Sequence, residues 1–259
     1  MGKKMRSIIK GILPELSGLS SFLFIWYLAA RKYSSVVLPS PIETFNALKY
    51  LLITNQLLTA VWASIFHIFT GFAIAVFAGI ILGICAGLIP WFRRFIAPTI
   101  AAFQGIPPIG WIVIALLWFG NGNATSIFTV AVATLPIIFI STVDGINTTD
   151  SQLLEMASLF RTSKRFLLLD IYFPHLLSYL FTALTTGVGL AFRLGIMAEL
   201  LSAETGIGAE LNLARINLET AEVMAWICVV LMIILISEYV ILRPLQVRLE
   251  PWRNSARKV

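Results

Sequence analysis

Ionisable side chains are scarce in the apolar stretches of this 259-residue chain, and the few present limit the chemistry it can perform. His67, Arg193, Glu199 and Glu238 lie within or at the edges of long apolar runs. A base inside a membrane is a functional candidate by default, because it attracts an anionic solute or a carboxylate. The alternative for Arg193 is to extend its stem to the outer headgroups. Pairing with Glu199 on the same helix is unfavourable, since six residues turn a helix through about 240°. His67 has one companion, His175, which excludes a histidine-rich metal site. A packed or hydrogen-bonded imidazole is the expected role for His67, with a pathway role as the alternative. Trp111 follows a Gly105-Ile106-Pro107-Pro108 break and either lines a constriction or packs in the core. The chain has no His-Glu-x-x-His, no Gly-x-Ser-x-Gly and no Gly-x-x-x-x-Gly-Lys-Ser/Thr. Zinc hydrolysis, serine acyl transfer and nucleotide hydrolysis therefore have no motif here, and the chain reads as no enzyme.

These groups must be positioned by membrane helices. Hydrophobic residues make up 58% of the chain and charged residues 12%, about half the charge of a soluble domain. A span needs about 20 apolar residues, so the length accommodates one all-α integral membrane domain over residues 1–259 with about six transmembrane helices. The expected spans are 12–30, 60–89, 95–119 with its proline break, 124–143, 176–201 and 223–242. Ser40, Pro41 and Glu43 form a capping box before an interfacial amphipathic helix. Gly79, Gly83 and Gly87 recur every four positions, which predicts close approach of another helix. Freed carbonyls at the 105–108 break should face the bundle interior or a pathway. Cys85 and Cys228 read as small hydrophobes, not a disulfide.

The net charge of +6 could suggest nucleic acid, but most of the 19 Lys and Arg flank apolar spans. The positive-inside rule accounts for them, with both termini and residues 150–174 in the cytoplasm and no nucleic-acid partner. Thr149 and Gln152 have capping-box spacing, which predicts a helix of ~11 residues from Asp150. Leu153, Leu154, Ala157 and Phe160 define its apolar side; Gln152, Glu155 and Ser158 define the other. A second apolar run, Phe166 to Phe173, is expected to stop at Pro174. Without a partner, this island would be an ordinary solvated connector.

Glu155-Met156-Ala157, Arg161 four residues on, and Ile171-Tyr172-Phe173-Pro174 together resemble the cytoplasmic "EAA" loop of binding-protein-dependent ABC importer permeases. That loop reads Glu-Ala-Ala, three residues, Gly, nine residues, Ile-x-Leu-Pro. Met156 and Phe173 keep apolar contacts in place of Ala and Leu. Arg161 replaces a Gly suited to positive φ, so a differently built turn is expected, with the first helix one residue longer. Ser64 to Phe72, Leu116 to Gly122, Ala198-Glu199 and Gly206-Ile207-Gly208 look like the sulfonate, taurine and nitrate branch, and the likeness covers about residues 60–250.

The resemblance implies a type I ABC importer permease fold in the bacterial inner membrane. It also implies two cytoplasmic ATPase subunits carrying ATP and Mg, a second identical permease copy and an extracytoplasmic solute-binding protein. No cofactor would bind to this chain. Glu155, Met156, Ala157, Arg161, Ile171, Phe173 and Pro174 would be the coupling residues. Arg193, Glu199, His67 and Trp111 are the pathway candidates, for a small anion such as a sulfonate, taurine, nitrate or bicarbonate. The alternative is a stand-alone ion-driven carrier or channel without an ATPase.

Overall fold

Lipid offers the backbone no hydrogen-bond partners, so a spanning chain must satisfy its own amides. This computed structural model does so with helices alone among its described residues, 17–237 except 19 and 161. In chain order they are α1 (Ser20–Ala30), α2 (Pro41–Ile53), α3 (Gln56–Leu88), α4 (Pro90–Gly105), α5 (Pro108–Phe119) and α6 (Asn123–Asn147). There follow α7 (Ser151–Leu159), the short α8 (Lys164–Phe166), a π-helical turn (Leu167–Tyr172), α9 (Phe173–Ser202), α10 (Ile207–Ile216) and α11 (Thr220–Leu235). The described contacts divide into two units: residues up to Leu58 with Glu210–Val229, and Thr59–Ala209 with the residues from Val230.

In the first unit, α2 begins as its sequence predicts. The Glu43 N–H donates to Ser40 Oγ at 3.2 Å, and the Ser40 N–H donates back to the Glu43 carboxylate at 2.7 Å. The Trp26 indole N–H donates to the Pro39 carbonyl at 3.0 Å, and the Thr220 hydroxyl to the Ser35 carbonyl at 2.8 Å. The C-terminus of α10 is closed by N–H bonds from Leu218 to the Arg215 carbonyl and from Glu219 to the Ala214 carbonyl. This is the pattern of a Schellman cap.

In the second unit, the glycine stripe of α3 receives α6. A Cβ built on Gly79, Gly83 or Gly87 would meet Ile138, Thr142 or Ile146 at 2.9 Å or less. Trp62, Phe66, Phe69, Phe77 and Ile81 stand exposed on other faces of α3, a surface that lipid accommodates. Gly187 and Gly195 of α9 admit Phe72 and Ile68 of α3 in the same way. The core forms where these helices meet, from Ile68 and Phe72, Val130 and Ile138, and Leu176, Leu180 and Ile196. Thr129, Thr134 and Thr142 of α6 are buried and return their hydroxyls to carbonyls four residues earlier, each at 2.7 Å. Their polar atoms are thereby satisfied without leaving the helix.

Among the described residues, three helical runs are long and apolar enough to cross a membrane: α3, α6 and Leu169–Ser202. The helical run that holds the fifth expected span, 176–201, begins at Leu169, ahead of the span itself. The expected third span is two helices, α4 and α5, bent by 99° at the proline break. Pro107 and Pro108 supply no backbone N–H to carry a helix through this point. Residues 12–16 and 19 of the first expected span, and residues 238–242 of the sixth with Glu238, lie outside the described residues.

Candidate functional site

The island between α6 and α9 is built from local caps. Asp150, not Thr149, starts α7: its Oδ1 accepts the Gln152 N–H at 2.8 Å. Thr149 instead returns its hydroxyl to the Gly145 carbonyl at 3.3 Å, which removes it from the expected capping box. The helix ends at Leu159, short of the expected length, because the Thr162 N–H and hydroxyl both turn back to the Ala157 carbonyl, at 3.1 and 3.0 Å. Ser163 then accepts the Phe166 N–H at 3.2 Å and starts α8.

Pro174 does not stop the second piece. The chain winds from α8 through the π-helical turn into α9, where Pro174 occupies the first turn. A proline is tolerated there, and a widened turn ahead of it removes the clash that a regular helix would impose. The island is thus continuous with a spanning helix. His175 and Thr148 close its base at 3.2 Å. Since the Thr148 hydroxyl already donates to the Asp144 carbonyl at 2.6 Å, His175 Nε2 is the donor in this pair.

Of the seven candidate coupling residues, Ala157 is buried and Ile171 is half-buried; Glu155, Met156, Phe173 and Pro174 are exposed. Arg161 lies outside the described residues. Leu153, Met156 and Phe160, at spacings of three and four, are all exposed, Phe160 by 77%. Of the expected apolar side, Ala157 is buried while Leu153 and Phe160 are exposed. The side turned away from the bundle carries apolar area as well.

The four pathway candidates do not form one site. Trp111 is buried; its indole N–H reaches the Phe103 carbonyl at 3.4 Å, and the two rings meet edge to face at 4.9 Å. It braces the α4–α5 bend and borders a cavity of about 230 Å³ that includes Gln104, Pro136, Leu190 and Leu194. Arg193 is exposed on α9 next in sequence to Leu194, with no ion pair among the described residues.

His67 and Glu199 are 2% and 0% exposed and face one another, Nδ1 to Oε1, at 2.9 Å. Ser64 donates its hydroxyl to Glu199 Oε2 at 2.5 Å, and the Gly208 N–H donates to the same oxygen at 3.2 Å. The Ile207 N–H completes the cluster by donating to Ser64 Oγ at 2.8 Å. The sequence alone marks Ser64 only as the start of the Ser64 to Phe72 stretch. Its signal was the i, i+3 spacing to His67, which places both side chains on one helix face.

Residues 75–254 match the model of a family described as "Binding-protein-dependent transport system inner membrane component". The chain is similar to the bicarbonate transport system permease protein CmpB of Synechococcus elongatus, 30% identical over 222 residues, covering 80% of this chain and 78% of that one. It is also similar to the taurine transport system permease protein TauC of Escherichia coli, 28% identical over 248 residues, covering 93% and 90% of the two chains. Among solved structures, a chain from inward-facing MetNI, a methionine ABC transporter, superposes with a TM-score of 0.55 at 17% identity. That superposition covers 75% of this chain and 96% of the other, and it carries the fold.

Proposed function

We propose, from the premise that this chain belongs to the family of binding-protein-dependent transport system inner membrane components, that residues 150–174 couple it to a separate ATPase and that it conducts a small anion. The chain is a permease subunit of an ABC importer of the inner membrane, with ATPase and solute-binding protein partners. Family members of this kind are not themselves enzymes.

The observation that carries the coupling reading is the unbroken path from α8 through the π-helical turn into α9. A displacement of the island is passed directly to a spanning helix. Leu153, Met156 and Phe160 offer it an exposed apolar face, and Glu155 adds an exposed charge. Two cytoplasmic ATPase subunits, binding ATP and Mg, each receive one island; two identical permease copies lie side by side, and both termini are cytoplasmic. The anion reading is supported by exposed Arg193 on α9, by the bicarbonate named for one relative and by the anionic sulfonate group of the zwitterion taurine named for another. Sulfonates and nitrate belong to the same class of small, compact anions.

The test is purification of the chain from its native membrane, followed by identification of what accompanies it and measurement of ATP hydrolysis. An ATPase in equal amount to the permease is expected. A permease isolated alone, with ion-driven flux in vesicles, overturns the reading.

A further inference from the structure

The buried cluster around Glu199 lies on the same continuous rod as the island, close to its other end. From Phe173 to Ser202, α9 rises about 45 Å at 1.5 Å per residue, with the island before its first turn and Glu199 in its last. Around Glu199 the chain brings together α3, through Ser64 and His67, and the start of α10, through Ile207 and Gly208. Ser64 accepts from Ile207 and donates to Glu199, so its single hydroxyl proton is committed. Glu199 Oε2 takes two donors and Oε1 faces His67.

The carboxylate has no exposed area, and both of its oxygens already have partners. Its surroundings are also built to its shape. Gly206 has φ +115°, and a Cβ there would lie 2.6 Å from the Glu199 carboxylate. A Cβ on Gly208 would lie 2.5 Å from Glu199 Cβ. Gly206 and the first turn of α10 can rest against Glu199 only because these positions carry no side chain. A second tie holds the same end of α9: the Gly122 N–H donates to the Ser202 carbonyl at 2.7 Å.

We infer that Glu199 is a positioning residue for transport: with Ser64 and His67 it fastens the far end of α9 to α3 and to the Gly206–Gly208 segment. A rod driven at one end and held at the other pivots about the hold. The cluster supplies the hold, so displacement of the island turns α9 about Glu199 in place of sliding it along its axis. This rests on the coupling reading above. It adds to that reading where the fulcrum lies and which atoms make it.

The experiment uses the complete importer in liposomes and reads uptake together with the ratio of binding-protein-stimulated to basal ATP hydrolysis. Glu199→Gln keeps an acceptor for Ser64 and Gly208 and can donate to His67 Nδ1, so it is expected to stay within about threefold of wild type. Glu199→Ala removes the hold and is expected to lower the ratio and the uptake by roughly tenfold. Ser64→Ala leaves the His67 and Gly208 contacts in place and decides the matter if the alanine variant at Glu199 does not assemble. It is expected to lower the ratio by about threefold. Wild-type coupling in Ser64→Ala and in an assembled Glu199→Ala overturns the inference, as does a Glu199→Gln variant as impaired as Glu199→Ala. If the wild-type complex itself shows no stimulation, the coupling reading has failed, an outcome separable from failure of the fulcrum alone.

Discussion

Gly83 of α3 faces Thr142 of α6 so closely that a Cβ on the glycine would lie 2.5 Å from the threonine Cβ and 3.0 Å from the Phe139 carbonyl. Neither neighbour is the free end of a flexible chain, so added volume must separate the helices. Gly83→Ala is expected to destabilise the fold by about 1–3 kcal/mol, the usual range for overpacking. Gly189 of α9 provides the contrast, because a Cβ there meets nothing within 4 Å. Gly189→Ala is expected to be neutral or to stabilise by about 0.5–1 kcal/mol through helix propensity. Thermal unfolding of both variants in detergent measures the difference; equal midpoints would remove the packing argument.

The stripe that makes this contact was legible in the sequence, since four-residue spacing places Gly79, Gly83 and Gly87 on one face whatever lies opposite. The partner of Glu199 was not. Its contacts come from residues 132 and 135 positions earlier, and helical periodicity carries no information across such separations. Ser40 was read correctly as a cap because both arms of its box are local. Thr149 was misread, because Asp150 offers an equally local acceptor and the two differ only in how α6 ends. Pro174 misled for a related reason: a proline stops a regular helix, and a π-helical turn ahead of it is not written in any one residue. Periodicity also identified apolar positions on α7 without revealing which side the bundle covers.

Leu218 has φ of 60° and occupies the position after α10 where glycine is usual. A side chain in that conformation costs roughly 1 kcal/mol. Leu218 is 71% exposed, so removing its side chain forfeits little packing. Leu218→Gly is therefore expected to raise stability by about 0.5–1 kcal/mol, read as a higher unfolding midpoint. A lower midpoint would mean that the leucine makes a contact worth more than the relieved conformation.

Arg193 tests the substrate class. An exposed guanidinium that draws anions towards the pathway contributes about 1 kcal/mol, so Arg193→Ala is expected to raise the KM for anion uptake about fivefold. Arg193→Lys keeps the charge and should restore most of the loss. Bicarbonate, taurine and nitrate are the solutes to compare, each with its own binding protein. Unchanged KM for every anion would leave the preference for anions without support from this chain.

Glu155 and Phe160 test the coupling face. Both are exposed on the island, Phe160 by 77%. Substitutions at exposed positions usually change stability by no more than about 0.5 kcal/mol, so lost function at these sites reports a partner and not misfolding. Glu155→Arg reverses a charge at the expected contact and Phe160→Asp removes apolar area from it. Each is expected to lower uptake and binding-protein-stimulated ATP hydrolysis together by about tenfold, with the permease still inserted at wild-type amounts. A parallel fall in both readouts is the signature of interrupted transmission, because damage confined to the pathway would lower uptake while leaving hydrolysis responsive. Wild-type values for both variants would place the ATPase contact elsewhere on the chain.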